Sequence, residues 1–510
     1  MRSFDVVVIG AGPGGEVAAG RLAEAGLDVA IVEGDKVGGE CSYYACMPSK
    51  ALLRPGELLA EARRVPGVAE AVTGPLDVAA VLRRRDELVG GLDDSGQVPW
   101  LEERGITLVR GWGRLAGERL VAVGDEILRA RRAVILAGGT RAALPDIDGL
   151  ADAKPWTNRE VTTSREIPGS LIVIGGGVVG VEMSQAYASL GSHVTLVEGD
   201  RGLLPREEDF VRAEVGASLA EQGVDIRTGQ RATAVRRDGG DRESGDSGVG
   251  GGGGGDKGGG GKVTVTLGDG DTVIGDEVLV AAGRAPQITG LGLETVGAVT
   301  VGAVTAGAGT VTAGTVGAGT GGVGRIGVGT VGAGNGGFVA VDEHMRVPGL
   351  DWLYVVGDLN GRALFTHMAK YQAAIAAGGI LGRDMTAEHV ADGANSPRVI
   401  FTEPQVAAVG HTTASAAAAG LRVRVVDVPT DGNAGGAFSG GARGTSRFLV
   451  DEDRDVLVGV TITGTAVADF LQAATIAIVG EVPVRRLRHA VPAFPTRSEI
   501  WLHLFDALGI

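Results

Sequence analysis

A short apolar run, Phe4-Asp5-Val6-Val7-Val8-Ile9, leads straight into Gly10-Ala11-Gly12-Pro13-Gly14-Gly15, and the pattern returns at Leu171-Ile172-Val173-Ile174 ahead of Gly175, Gly177 and Gly180. Such a run reads as a buried parallel strand, and an Ala- and Leu-rich helix follows the first copy. Each glycine of the turn answers a separate steric demand. Gly10 allows the tight turn, Gly12 the close approach of a pyrophosphate, and Gly15 the packing of helix on strand. Both copies close on a second strand that ends in an acid, Glu33 in the first and Glu198 in the second. An acid about 20 residues beyond the first glycine is placed for a ribose hydroxyl. Two such units predict two dinucleotide sites; the alternative is that one copy is only a glycine-tight turn in a doubly wound sheet. Glu198 would repel a 2′-phosphate, so NADH is expected over NADPH, with Arg201 close by as an opposing charge.

The chain's two cysteines, Cys41 and Cys46, lie in Gly-Gly-Glu-Cys-Ser-Tyr-Tyr-Ala-Cys-Met-Pro-Ser-Lys, just past the first unit. An ideal helix between them would hold their Cα atoms roughly 8–9 Å apart. A disulfide tolerates only about 4.4–6.8 Å. A bonded pair therefore requires the segment to bend at the start of its helix, which Pro48 and the run Lys50-Ala51-Leu52-Leu53 allow. Cys46 then falls near a helix N-terminus, where thiolate is favoured. A structural staple, two unrelated buried thiols and half a zinc site are the other readings. A staple across so short a loop stabilises little, and none of the seven histidines is near in sequence. In an acidic chain with no other cysteine, a redox pair is the expectation.

With 510 residues, 44% of them hydrophobic, about three domains are expected. The net charge of −15 argues against nucleic acid or anionic membrane as a main partner and points to small substrates. No apolar run approaches the ~20 residues that span a bilayer, and the first residues read as a strand and not a signal peptide, so a cytoplasmic protein is expected. Further apolar strands are predicted at 133–140, ending in Gly138-Gly139, and at 276–281, leading into Gly283-Arg284-Ala285-Pro286. The strand-then-turn pattern recurs at Leu353-Tyr354-Val355-Val356-Gly357-Asp358, with Asp358 placed for a ribityl or ribose hydroxyl. From about residue 397 the pattern turns to short alternating strands and an amphipathic helix over 466–480, a separate α+β domain. Two glycine-rich stretches, 239–261 and 296–337, belong to no core. The first reads as a flexible loop inside a hairpin; the second reads as disordered, with a short β-solenoid as the alternative.

Taken together, the two fingerprints, Cys-x4-Cys-x-Pro-Ser-Lys, Gly283-Arg284-Ala285-Pro286 and Gly357-Asp358 resemble the flavin-dependent pyridine nucleotide-disulfide oxidoreductases. The resemblance implies an α/β fold of two Rossmann-like domains and a C-terminal α+β dimerisation domain. It places an FAD-binding domain at 1–160 and 284–385, an NAD-binding domain at 161–283 and the dimerisation domain at 390–510. It implies a homodimer whose partner chain completes each active site. FAD would sit on the first unit, with Gly39 and Gly139 among its contacts, and NAD(P)H on the second. Electrons would pass from NADH through the flavin to a Cys41–Cys46 disulfide, Cys46 on the flavin side and Cys41 meeting substrate. Lys50 matches the family lysine near the flavin and Glu182 its ion-pair partner, although either alone reads as a surface charge. The backbone at Thr366-His367-Met368 matches the helix start that faces the flavin.

One departure bears on substrate. The family's His-Pro-Thr-x-Ser-Glu segment carries a proton-shuttling histidine; here the stretch is Phe494-Pro495-Thr496-Arg497-Ser498-Glu499, with Glu499 retained. His489 falls outside the motif and reads as a packing or surface residue. Losing a general base costs about 10²–10⁴-fold in rate. Glu40, where the family has threonine, is expected to raise the Cys41 thiol pKa by its charge. Tyr43 and Tyr44 either shape a flat pocket or simply pack. The resulting expectation is an NADH-dependent FAD oxidoreductase whose small acceptor, a quinone or other electrophile, needs little acid–base help. The alternatives are a dihydrolipoamide dehydrogenase-like enzyme and a flavoprotein with a binding or assembly role.

Overall fold

The computed structural model describes residues 1–239, 261–298, 300–301, 337–388, 391–441 and 443–510. Contacts divide them into two compact units: Met1–Tyr43, Val89–Arg141 and Arg284–Ser396 form the first, and Tyr44–Leu88, Ala142–Gly283 and Pro397–Ile510 the second.

The first unit is built on the parallel strands Leu350–Val355, Glu126–Leu136, Arg2–Ile9, Val29–Glu33 and Thr107–Arg110, in that spatial order. Successive side chains of a strand face opposite ways, and the first strand uses both directions. Val6 and Val8 pack with Ala18, Ala19 and Leu22 of the helix Pro13–Glu24 and with Ala373, Ala376 and Ala377 of Thr366–Ile380. Val7 and Ile9 join Phe4, Leu128, Val134 and Leu353 on the other face. A strand buried on both faces must be apolar throughout, which is why it shows no alternation.

In the second unit the parallel order is Asp225–Thr228, His193–Glu198, Ser170–Ile174 and Glu277–Val280, flanked by the helix Val178–Ser189. A three-stranded antiparallel sheet, Ala232–Arg237, Val263–Leu267 and Thr272–Gly275, adjoins it in sequence. A five-stranded antiparallel sheet follows, in the order Arg398–Ile400, Gln405–Gly410, Val456–Gly464, Thr445–Asp451 and Val423–Pro429.

The units change over at 283/284 as expected, but elsewhere they cut the chain at 141 and 396 and not at 160 and 390. Residues 44–88 and 142–160, expected with the first unit, group with the second. The helix Cys46–Arg64 explains this, because its Leu52 and Leu53 are buried in one cluster with Leu171, Val181, Tyr187, Ile400 and Val406. The strand expected at 133–140 begins earlier and ends sooner, Glu126–Leu136. The helix expected over 466–480 is a 3₁₀ turn, Val467–Phe470, followed by the α-helix Leu471–Val479.

The readings of 239–261 and 296–337 fall mostly outside the described residues. Beside them Arg237 pairs with Val263 and Thr300 with Val339, both antiparallel. Among the described residues no helix is long and apolar enough to cross a membrane.

Candidate active site

In the first unit, Gly10 has φ +102°, and a Cβ there would lie 2.4 Å from the Ala137 carbonyl oxygen. A Cβ on Gly15 would lie 1.9 Å from the Gly10 oxygen. Both positions therefore exclude any side chain. Gly12 is the N-cap of Pro13–Glu24 and brings no side-chain cap, so the first-turn N–H groups remain available to an anion. Gly39, at φ +63°, closes over it, since a Cβ there would stand 2.7 Å from the Gly12 Cα. Glu33 accepts from the N–H groups of Ala11 and Asp35, each at 2.7 Å, which fixes its carboxylate at the strand end. Burial pushes its pKa up.

Asp358 follows Gly357, whose φ is +74° and whose N–H donates to Gln372 Oε1 at 2.8 Å. Gln372 in turn donates to the buried Asp392 at 2.7 Å. Asp358 accepts from Thr140 Oγ1 at 2.7 Å, and Arg284 Nε donates to the same Thr140 hydroxyl at 2.6 Å. Burial raises the Asp358 pKa, against the pull of Thr140 and Arg284. The other end of Arg284 is paired with Glu40. The Glu40 charge beside Cys41 is thus paired with a guanidinium. Gly139 has φ +69° and open space where a Cβ would be.

The two cysteines sit on separate helices. Cys41 belongs to Gly39–Tyr43 and Cys46 opens Cys46–Arg64, with the break at Ala45, φ −138° and ψ −96°. Helical continuity is thus interrupted where the disulfide argument required a bend. In the first unit, Thr366 Oγ1 donates to Cys41 Sγ at 3.1 Å from the first residue of Thr366–Ile380, and the next residue, His367, is exposed with its ring stacked on Phe365. Tyr43 is buried and serves packing. In the second unit, the Tyr44 carbonyl accepts from Asn158 Nδ2 and Thr162 Oγ1, and Arg159 lies 4.3 Å over its ring.

Lys50 and Glu182 meet as expected, Nζ to Oε2 at 2.7 Å, with Glu182 only 4% exposed. Glu182 also accepts from the Phe401 N–H at 2.9 Å, and the Lys50 ammonium lies 4.8 Å over the Phe401 ring. The second glycine turn repeats the first. Gly175 has φ +111° and would place a Cβ 2.5 Å from the Ala281 oxygen; Gly180 would place one 1.8 Å from the Gly175 oxygen. Glu198 accepts from the N–H groups of Gly176 and Asp200. Gly177 caps Val178–Ser189 without a side-chain bond, and nothing described lies within 4 Å of its would-be Cβ. Gly283, at the chain's return between units, has φ +121°.

In the C-terminal segment Phe494 is 77% exposed. Glu499 accepts from the Gly435 N–H at 3.1 Å, which anchors that turn, and His489 is exposed.

Residues 4–310 match the family model described as pyridine nucleotide-disulphide oxidoreductase, and residues 396–504 match that family's dimerisation domain. The chain belongs to this family. Among its curated relatives, a dihydrolipoyl dehydrogenase of Thermus scotoductus is 29% identical over 100% of this chain and 98% of its own length. Dihydrolipoyl dehydrogenase 3 of Pseudomonas aeruginosa is 31% identical over 98% and 96%. Solved structures share the fold: the HOCl-induced flavoprotein disulfide reductase RclA of Escherichia coli at TM-score 0.77 and 21% identity, covering 98% of this chain and 99% of that one, and LpdA of Mycobacterium tuberculosis at 0.77 and 23%, covering 99% of each.

As a pyridine nucleotide-disulfide oxidoreductase the protein is an FAD-dependent enzyme, and its dimerisation domain supports a homodimer. The first turn fits the dinucleotide part of FAD, since no side chain caps the helix start at Gly12 and the turn keeps its shape only because Gly10, Gly15 and Gly39 carry no Cβ to strike neighbouring backbone. Among the described residues, no group of three or more His, Cys, Asp or Glu could hold a metal ion. The sequence reading missed Thr140, the Glu40–Arg284 pair, the Gln372–Asp392 support under Gly357, and Glu16. Glu16 lies in the first turn of Pro13–Glu24, and burial pushes its pKa up to about 7 against the pull of Lys370. An acidic residue four places beyond the second fingerprint glycine was the available signal for it.

Proposed function

We propose that the protein passes electrons from NADH through FAD to a Cys41–Cys46 disulfide and on to a small electrophile such as a quinone. The observation that carries this reading is the exposed phenyl ring at Phe494, where the family's histidine would move the proton of the interchange thiol. A phenyl ring takes no proton, so an acceptor that needs little acid–base help fits better than another disulfide. Bound FAD supplies the two-electron relay between nicotinamide and disulfide. The chain's own residues supply the setting. Gly10, Gly12, Gly15 and Gly39 admit the FAD pyrophosphate to the helix start, Glu33 takes its ribose, and the Thr140–Asp358 pair meets its ribityl chain. Gly139, Thr366 and His367 complete the FAD contacts. Lys50, held by Glu182, supplies a cation beside the reduced cofactor. Gly175, Gly177, Gly180 and Glu198 take NADH, and the Glu198 carboxylate disfavours a 2′-phosphate. The domains proposed for these roles are 1–160 with 284–385, 161–283 and 390–510, and the partner chain completes each site.

Dihydrolipoamide dehydrogenase is the second reading, favoured by the near full-length likeness to enzymes of that name. NADH oxidation by the purified holoenzyme, measured with lipoamide and with a quinone in one assay, separates the two. Faster turnover with quinone is expected. A large lipoamide preference overturns the first reading and supports the second.

A further inference from the structure

We propose that Thr366 is the donor that holds the Cys41 sulfur as a thiolate, so that this chain supplies from itself the thiol activation that Phe494 cannot. The inference rests on the reading of Cys41 as the interchange thiol. Four observations in the first unit carry it. Thr366 Oγ1 donates to Cys41 Sγ at 3.1 Å, a short approach for sulfur and the kind that an anionic acceptor favours. Thr366 opens a 15-residue helix, so no earlier turn of that helix offers its hydroxyl a carbonyl. The N-cap of that helix, Phe365, gives no side-chain bond, so the Thr366 contact is made from the uncapped, positive end of the helix. Finally, the nearest acid in sequence, Glu40, is engaged by Arg284 and does not oppose a second negative charge on the neighbouring residue.

The charged groups on the surrounding elements of this unit are few. Glu40 is on the cysteine's own helix, Arg284 is on the strand Arg284–Pro286, and Asp358 is bonded to Thr140. On the Thr366 helix, His367 and Lys370 are exposed, and Lys370 acts on Glu16. The Thr366 hydroxyl is thus a donor to the sulfur, with Arg284 as a positive charge on a neighbouring element. Two electrons from NADH break the Cys41–Cys46 bond to two thiolates, the proton delivered with them leaves to water, and the negative charge on the Cys41 sulfur stays hydrogen-bonded to Thr366. No proton need be carried by an imidazole for that form to persist.

The test uses the Cys46→Ser holoenzyme, in which Cys41 is the chain's single cysteine. Alkylation by iodoacetamide, followed by mass across a pH series, reads the thiolate fraction. Thr366→Val in this background is expected to raise the apparent pKa of Cys41 by about one unit, so that alkylation below the pKa slows roughly tenfold. Thr366→Ser, which keeps the hydroxyl, is expected to restore the parental profile. If Thr366→Val does not hold flavin, Thr366→Ala removes the hydroxyl without the extra methyl groups and gives the same reading. Superimposed profiles for the hydroxyl-free and parental proteins overturn the proposal, as does a serine variant that behaves like valine. The electron-transfer reading fails by a different result, NADH-driven acceptor reduction that survives Cys46→Ser undiminished.

Discussion

Gly12 and Gly177 hold the same place in two nearly identical turns, yet the space above them differs. Over Gly12 lies the backbone of Gly39, whose Cα would stand 4.0 Å from a Cβ on Gly12 and whose own Cβ would strike the Gly12 Cα at 2.7 Å. Over Gly177 nothing described stands within 4 Å, and Val178 and Val179 beside it are 40% and 37% exposed. The helix behind the first turn is also covered, since a Cβ on Gly14 would meet Ala369 at 3.3 Å. The turn itself is repeated: the positive φ of the first glycine, the clash at the last, and the acid bound by two N–H groups. One sequence pattern thus makes a closed cradle and an open ledge. A cradle that covers its ligand from two sides slows release, and a ledge lets it exchange. That difference suits the proposed placing of a resident flavin on the first turn and an exchanging nicotinamide on the second.

The strongest way to break this comparison is Gly39→Ala. Its Cβ would strike the Gly12 backbone from a left-handed conformation, and a loss of flavin affinity of about a hundredfold or more is expected, roughly 3 kcal/mol. Flavin retained on gel filtration, read by absorbance, would contradict a closed cradle. Next comes Glu16, a largely buried acid that the second turn lacks, because the equivalent helical position is the buried Val181. Its folded-state pKa of about 7 lies above the ordinary 4.5, so the folded chain keeps a proton that the unfolded chain releases. Stability should therefore be full below about pH 4.5 and decline as pH rises towards 7. In flavin-free protein, Glu16→Gln should remove that slope and recover about 2 kcal/mol at pH 8, as measured by urea denaturation. A smaller effect is expected from Gly177→Ala, which meets no protein atom. It should leave flavin content and stability unchanged while raising the KM for NADH about tenfold, the loss of ~1.4 kcal/mol of ligand contact. Finally, Glu198→Ala should narrow the preference for NADH over NADPH by several-fold. An unchanged ratio of kcat/KM for the two nucleotides would show that the acid takes no part in choosing.

The parts of this molecule visible in its sequence are those with a local signature. Strand, glycine turn, helix and closing acid lie within one short stretch in each unit, and steric rules tie every glycine to its position. Lys50 and Glu182 were also within reach, through the motif that each belongs to. The hidden parts are joined across long separations. Glu40 alone reads as a charge that hampers Cys41; only the fold brings Arg284 to it from 244 residues away. Nor does a threonine at a helix start announce that its hydroxyl will meet a sulfur 325 residues earlier. The helix Cys46–Arg64 joins the second unit because of where Leu52 and Leu53 are buried, and an apolar pair does not name its partner in advance.

The node of Glu40, Arg284, Thr140 and Asp358 also sets an order of assembly. Thr140 and Asp358 are 218 residues apart in the chain, whereas the open turn at Gly175 needs nothing beyond Ala281 to complete its contact. During synthesis the second turn can close while the first still awaits Asp358 and Ala369. The extra loop length adds little entropy, but no folding rate can outrun the emergence of the residue that ends the loop. The site that begins the chain is thus among the last to be finished, and a ribosome stalled between Ala281 and Asp358 would display a complete ledge beside an unfinished cradle.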